Sequence, residues 1–213
     1  TVVTVVKDDL AGLEKTIRSL VEQVDLAGVE YLVVDSSENS AAVETVVKDS
    51  LIVGALFSWC EPQGIYAAMN TGLSLARGKY IYYLNAGDLL ADPQVIADLK
   101  QTIEAVNPVW IVGQVEISEA SGKTVVSESW DYHAEKRALF ARGAFPPHQG
   151  TIVRTESLRA AGGFNTWYSI SADYAAALSL SLVSDPFMTD RMIATFFEGG
   201  VSTERWQDSF REF

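Results

Sequence analysis

Asp8 and Asp9 follow the apolar run Val2–Val6, Asp35 follows Tyr31–Val34, and Asn85 and Asp88 follow Tyr80–Leu84. In open α/β sheets ligands sit outside the carboxyl ends of the strands, so the side chains just after each apolar run are the ones to read for chemistry. Carboxylates dominate there, with Lys7, Ser36 and Ser37 beside them. The glycine signatures that hold phosphate through backbone N–H groups are missing. No G-x-G-x-x-G follows the first run, and no G-x-x-x-x-G-K occurs. A phosphate-bearing ligand therefore needs another holder. A divalent cation, gripped by one or two strand-end carboxylates and by the ligand's own diphosphate oxygens, meets that need.

The elements that position these residues follow from hydrophobic periodicity. Four times in the first half a β-branched run and a segment of helical spacing alternate, which predicts a parallel sheet covered by helices. The expected strands are Val2–Val6, Tyr31–Val34, Leu51–Phe57 and Tyr80–Leu84. The first helix puts Leu10, Leu13, Ile17, Leu20, Val21 and Val24 on one face and Glu14, Lys15, Arg18 and Glu22 on the other. Ser40 is expected to cap a helix over Ser40–Lys48, and Gly78 to close one that contains Ile65, Met69, Leu73 and Ala76. Asp92-Pro93 is expected to open a helix reaching Val106. Trp110–Ile117 and Thr124–Ser129 then read as a hairpin about Ser121-Gly122, which makes the sheet mixed. No repeat, low-complexity tract or Gly/Ser linker marks a boundary. The expectation is α/β: a single Rossmann-like domain over residues 1–213, its mostly parallel mixed sheet flanked by helices.

Composition limits the partners. Sixteen Lys and Arg against 28 Asp and Glu give a net charge of −12, which leaves no source for affinity to a nucleic-acid backbone. The single cysteine, Cys60, forms no internal disulfide and gives no sign of an oxidising compartment. The longest nearly uncharged apolar stretch, Leu51–Cys60, is about half a membrane-spanning helix, and no basic region with an apolar core precedes the first strand. A cytoplasmic setting is expected. The start at Thr1 without an initiator methionine suggests trimming.

Four segments together resemble family 2 glycosyltransferases of the GT-A fold. The first is Thr4-Val5-Val6-Lys7-Asp8-Asp9-Leu10-Ala11-Gly12-Leu13, continued by Thr16, Ser19, Leu20 and Gln23. The second, Val33-Val34-Asp35-Ser36-Ser37-Glu38-Asn39-Ser40, is similar to V-V-D-x-x-S-x-D. The third runs from Gly64-Ile65-Tyr66-Ala67-Ala68-Met69-Asn70-Thr71-Gly72 through Arg77 to Leu84-Asn85-Ala86-Gly87-Asp88, and resembles G-I-Y-D-A-M-N-x-G followed by an L-N-x-G-D form of the D-x-D motif. The fourth comprises His148-Gln149, Gly162-Gly163-Phe164 and Ser171-Ala172-Asp173-Tyr174, similar to the acceptor-side elements.

The resemblance implies a donor half over residues 1–90 and an acceptor half over 91–213. It implies that Asp35 contacts the nucleoside, that Asp88 ligates Mn²⁺ or Mg²⁺, and that Asp173 is the catalytic base. Thr4, Val6, Asp8, Asn70, Arg77 and Asn85 complete the expected nucleotide-sugar site, with His148, Trp167 and Tyr168 on the acceptor side. Alternatives stand beside several of these. His148 also suits a hydrogen-bonded structural role, Trp167 and Tyr168 core packing, Arg77 a helix C-terminus, and Asp173 or Ser171 a helix cap. Three departures from the pattern concern the donor: Asn85 and Ala67 stand where an Asp is usual, and Glu61-Pro62-Gln63 lacks the Asp common before the glycine.

The chemistry agrees with the resemblance. Displacing a nucleoside diphosphate from an anomeric carbon builds charge that a divalent ion stabilises, and the attacking hydroxyl needs a carboxylate base. One base opposite the leaving group gives inversion. The expected function is a metal-dependent, inverting glycosyltransferase of hexosyltransferase type. It would move a sugar from a nucleotide sugar, a UDP-sugar favoured, to a glycan or lipid-linked acceptor in surface polysaccharide assembly. Peripheral association with the inner face of the membrane is compatible with that setting. Two alternatives remain: a nucleotidyltransferase, which normally carries a Gly-rich basic loop that Lys7-Asp8-Asp9 is not, and a catalytically inactive binding domain of the same fold.

Overall fold

The computed structural model describes residues 1–118, 121–127, 131–141 and 145–197. Its first half alternates β1 (Val2–Val6), α1 (Leu10–Val21), β2 (Tyr31–Asp35), α2 (Ser40–Lys48), β3 (Leu56–Trp59), α3 (Ile65–Leu75) and β4 (Tyr80–Tyr83). The four strands pair in parallel in the order β3-β2-β1-β4. Residues that alternate along them feed two separate cores, as the period of a strand requires. Val3, Val5, Leu32 and Val34 pack beneath Tyr66, Met69 and Leu73 of α3, while Val2, Val6, Tyr31 and Val33 pack beneath Leu13, Ile17 and Leu20 of α1.

The second half adds β5 (Leu89–Leu90), α4 (Val95–Val106), β6 (Trp110–Ser118), β7 (Thr124–Val126), α5 (Tyr132–Ala141), β8 (Thr151–Arg154), α6 (Thr155–Ala160), α7 (Ala172–Val183) and β9 (Phe187–Phe197). The sheet continues β4-β8-β6-β9-β5, with β7 on β6. Since β8 is antiparallel to both β4 and β6, and β9 is parallel to β6, only β5, β7 and β8 run against the rest. The sheet is therefore mixed and mostly parallel, with helices on its faces.

Several boundaries differ from the expectation. The third strand is not Leu51–Phe57: Ile52 and Ala55 close a turn with Gly54 at φ +76, Leu51 and Val53 are exposed, and only Leu56–Trp59 joins the ladder. Asn39, not Ser40, takes the cap position of α2. α3 ends at Leu75, and Gly78 serves instead a close approach, since a Cβ there would lie 2.4 Å from the Thr1 nitrogen. Asp92-Pro93 forms a turn ahead of α4, with Asp92 Oδ1 accepting from Gln94 N at 2.8 Å. The hairpin forms with β7 ending at Val126, while Ser129 lies outside the described residues. β5, β8, β9 and α5 carry no clear sequence period.

Candidate functional site

β1 and β2 end side by side, with Val6 opposite Asp35. Their following loops are stitched together: Asp8 N donates to Ser37 Oγ at 2.7 Å, and Glu38 N donates to Asp8 Oδ1 at 3.1 Å. Asp8 adopts φ 53, a left-handed conformation that Asp tolerates better than most residues. Asp35 is fully buried. Its Oδ1 accepts from Ser37 N at 2.9 Å, but its Oδ2 has no partner among the described residues. A buried acceptor left unpaired is costly, and a ligand hydroxyl or N–H group at this edge would satisfy it.

The loop after β4 is held from two sides. Leu84 N and Ala86 N donate to Val3 and Val5 of β1. From α1, the wholly buried Thr16 hydroxyl donates to the Asp88 carbonyl at 2.8 Å, lies 3.2 Å from the Asn85 carbonyl, and accepts from Gly87 N at 3.0 Å. One turn on, Ser19 Oγ accepts from Leu90 N, and Gln23 then bonds Asp92 O and Ile96 N. Thr16, Ser19 and Gln23 thus form a polar stripe beside the apolar face of α1, and that stripe fixes the chain from Asn85 to Ile96. Their helical spacing in the sequence is the signal for this role.

Asp88 is nearly buried, and burial pushes its carboxyl up to about 6 despite the opposing pull of His148 and hydrogen bonds from Asn85 and Gln149. Asn85 Nδ2 lies 3.0 Å from His148 Nε2, whereas Asn85 Oδ1 is buried without a partner among the described residues. A divalent cation fits these residues. Asn85 leaves a neutral oxygen unused, and a cation beside Asp88 would reverse the cost of ionising a buried carboxylate. No group of three or more His, Cys, Asp or Glu among the described residues is gathered to hold a metal. Most coordination positions would then fall to ligand oxygens and water.

His148 starts a short 3₁₀ turn, His148–Gly150, and reaches across the sheet. Its Nδ1 stands 3.7 Å from Asp173 Oδ2. Burial works against the imidazolium, but the charges of Asp173 and Asp88 outweigh it and raise the His148 pKa. Asp173 lies in the first turn of α7, with Ser171 at the cap position. Its Oδ1 accepts from Tyr174 N at 2.9 Å and faces the Tyr66 hydroxyl at 3.0 Å. That hydroxyl also bonds the Ile170 carbonyl. Oδ1 is thus occupied by Tyr174 N and Tyr66, while Oδ2 faces His148 Nδ1. Tyr66, which local sequence pattern does not single out, thus joins the site through Asp173.

Other expected positions are used differently. Thr4 is buried inside the sheet, its hydroxyl donating to Leu84 O and accepting from Tyr31. Asn70 clamps Phe164 through both amide atoms, at 2.7 and 2.9 Å, and Gly163 at φ +68 keeps that approach open, since a Cβ there would come within 2.5 Å of Asn70 Oδ1. The Asn70 side chain therefore positions the Gly162-Gly163-Phe164 loop. Trp167 is 94% exposed, and Tyr168 packs partly against the core. Arg77 does not join the others: it precedes β4 at the opposite, amino-terminal edge of the sheet, its backbone N–H bonded to Glu30. Val6, Asp8, Asp35, Asn85, Asp88, His148 and Asp173 are the expected residues that the fold gathers along the carboxyl edge.

The fold has counterparts among solved structures. S. aureus TarS (residues 1–349) in complex with UDP-GlcNAc superposes with a TM-score of 0.76 at 14% identity, over 96% of this chain and 60% of that one. The mannosyltransferase PcManGT from Pyrobaculum calidifontis, in complex with GDP-Man and Mn²⁺, gives 0.69 at 19% identity, over 97% of this chain and 59% of that one. At such identities the likeness is one of fold, and the fold is GT-A. The model of glycosyl transferase family 2 matches residues 1–162, and the chain belongs to that family. It is 26% identical to the uncharacterized glycosyltransferase Rv1514c of Mycobacterium tuberculosis, spanning 96% of this chain and 77% of that relative's length. The chain is thus a glycosyltransferase domain that covers less than two thirds of each solved neighbour. No described helix is long and apolar enough to cross a membrane.

Proposed function

We propose that this domain transfers a sugar, with inversion, from a nucleoside diphosphate sugar to a hydroxyl of a glycan or lipid-linked acceptor, and that it does so with a divalent cation. The observation that carries this reading is the chain of side chains from Asn85 through His148 to Asp173, at 3.0 and 3.7 Å. It sets a carboxylate oxygen of the acceptor half beside the loop that ends in Asp88. Residues 1–90 would bind the donor and residues 91–213 the acceptor.

In this reading Asp35 and Asp8 hold the nucleoside across the ends of β1 and β2. Asp88, with Asn85 Oδ1, would hold Mn²⁺ or Mg²⁺, which would supply Lewis-acid stabilisation of charge on the leaving diphosphate. Asp173 Oδ2 takes the proton of the attacking hydroxyl as the anomeric carbon changes partners. Tyr66 and the Tyr174 N–H fix the other carboxylate oxygen, so the base meets the acceptor in one orientation. Trp167 offers an exposed face for a sugar ring. That the two solved neighbours carry UDP-GlcNAc and GDP-Man supports a nucleotide-sugar donor, with UDP the favoured nucleotide here. Family membership sets the nucleotidyltransferase alternative aside.

Asp173→Asn tests the proposal. The variant keeps the carboxylate's shape but accepts no proton at neutral pH. It should bind donor normally and melt near the parent temperature, while transfer falls by roughly 10²–10⁴-fold. Transfer at the parent rate removes Asp173 as base. A parent protein that neither transfers nor hydrolyses any nucleotide sugar points to the inactive binding domain.

A further inference from the structure

The cations of this acidic protein are not spread evenly. Arg77, Lys79, Arg154 and Arg159 line one cleft of about 390 Å³ together with Gly78, Thr155 and Glu156. The cleft lies where β4 begins beside the end of β8, with Tyr80 opposite Arg154. It is thus at the edge of the sheet opposite Asn85 and Asp88. The seven residues from Lys79 to Asn85, six steps of a strand, span roughly 20 Å when extended, so an anion here is not the diphosphate of the donor.

Two of the four have structural work. Arg159 Nη2 donates to Leu73 O and Ala76 O at the end of α3, and Arg154 Nη2 donates to Asn107 O and Pro108 O at the end of α4. Each helix end carries only about half a negative charge, however, and both partners are neutral carbonyls. Lys79 Nζ bonds the Asn107 side chain, also neutral. None of the four forms an ion pair among the described residues. Set against the four charges are Glu156 on the rim, Glu30 near Arg77, and the two helix ends. The balance stays positive, in a chain of net charge −12. Arg154 Nε is in addition buried without a partner among the described residues, a donor that a bound oxyanion would satisfy.

We infer that this cleft is a second ligand site, which binds a phosphate group: planar guanidinium forks matched to a tetrahedral oxyanion, with Lys79 as a point charge. The phosphate is supplied either by a soluble phosphate compound or by the headgroup of an anionic lipid, and the inference is independent of the proposed transferase chemistry.

Inorganic phosphate, titrated into the whole chain in EDTA at constant ionic strength, separates this site from the metal-dependent one. Thermal shift and calorimetry should show saturable binding to the parent and equally to Asp88→Ala. The double variant Arg77→Ala/Lys79→Ala, both side chains exposed, should melt near the parent temperature and bind at least about tenfold more weakly, the loss of two charge-assisted contacts. Flotation with phosphatidylcholine vesicles, with and without phosphatidylglycerol, assigns the source. Binding to the anionic vesicles that the double variant loses supports a lipid headgroup, and phosphate binding without vesicle binding supports a soluble phosphate. If neither probe binds saturably, or if the double variant binds like the parent, the inference is overturned.

Discussion

The two ends of β4 are chemical opposites. Toward its carboxyl end the buried atoms unpaired among the described residues are acceptors, Asn85 Oδ1 and, at the neighbouring end of β2, Asp35 Oδ2, beside carboxylates. At its amino end the unpaired buried atom is a donor, Arg154 Nε, beside three more cations. One edge is thus complementary to a cation and to ligand hydroxyls, the other to an anion. The separation of roughly 20 Å exceeds the physiological screening length of about 8 Å, so neither edge neutralises the other. A strand that runs from one edge to the other lets one sheet present both.

The comparison breaks most visibly at Asp88. Asp88→Ala should remove Mn²⁺-dependent stabilisation by a nucleoside diphosphate and lower transfer by at least about 10²-fold, since the cation supplies several kcal/mol of charge stabilisation. A variant with normal Mn²⁺-dependent turnover would show that the ion is held elsewhere. Next in size is Asp35→Ala, which should weaken the bare nucleoside diphosphate by about 1–3 kcal/mol in calorimetry. Unchanged affinity there excludes Asp35 from nucleoside contact.

Thr16→Val sharpens the carboxyl-edge reading without touching any ligand. It keeps the shape of the side chain but leaves Gly87 N and the Asp88 carbonyl unpaired, so the melting temperature should drop by an amount equivalent to about 1–3 kcal/mol. Loss of Mn²⁺–nucleotide affinity beyond that of phosphate affinity at the amino edge would mark Thr16 as positioning Asp88, and an equal loss at both edges would mark a general destabilisation. Thr16→Ser should restore both.

The smallest effect is one of pH. A carboxyl raised to about 6 contributes stability in full below its unfolded value near 4 and loses it as pH rises through about 6. The raised His148 acts in the same direction at higher pH. Without metal, the melting temperature should therefore fall by a few degrees between about pH 5 and 7, at about 2–4 °C per kcal/mol. This window lies above the range in which the lowered carboxyls of Asp25, Glu30, Asp92 and Asp185 finish ionising. Asp88→Asn should flatten most of the fall, and a parent whose melting temperature rises across the window contradicts the burial of an ionisable Asp88.

The half of the molecule before Asp88 was legible because its elements obey local rules. Val2–Val6 and Tyr31–Val34 are apolar throughout, as strands buried on both faces must be. The period of α1 is equally plain. The same rule failed at Leu51–Val53, an apolar run that a turn at Gly54 leaves in solvent. Local pattern also missed β8 and β9: their pairing depends on partners far along the chain, and an irregular register between β6 and β9 blurs any alternation.

The sequence by itself determined the residue types at the carboxyl edge, because a strand end and the loop after it are fixed within a few residues. Asp35, Asn85 and Asp88 were read in this way, whereas Asp173, in the first turn of α7, came only from the resemblance. Only the tertiary structure decided what each side chain does. Asn70 is spent on Phe164, Thr4 on the sheet interior, and Arg77 faces the far edge. His148 joins Asn85 to Asp173 across a separation of 63 residues on one side. Which atoms are left unpaired is set by packing between elements distant in sequence, and those atoms, rather than the motifs around them, say where a ligand belongs.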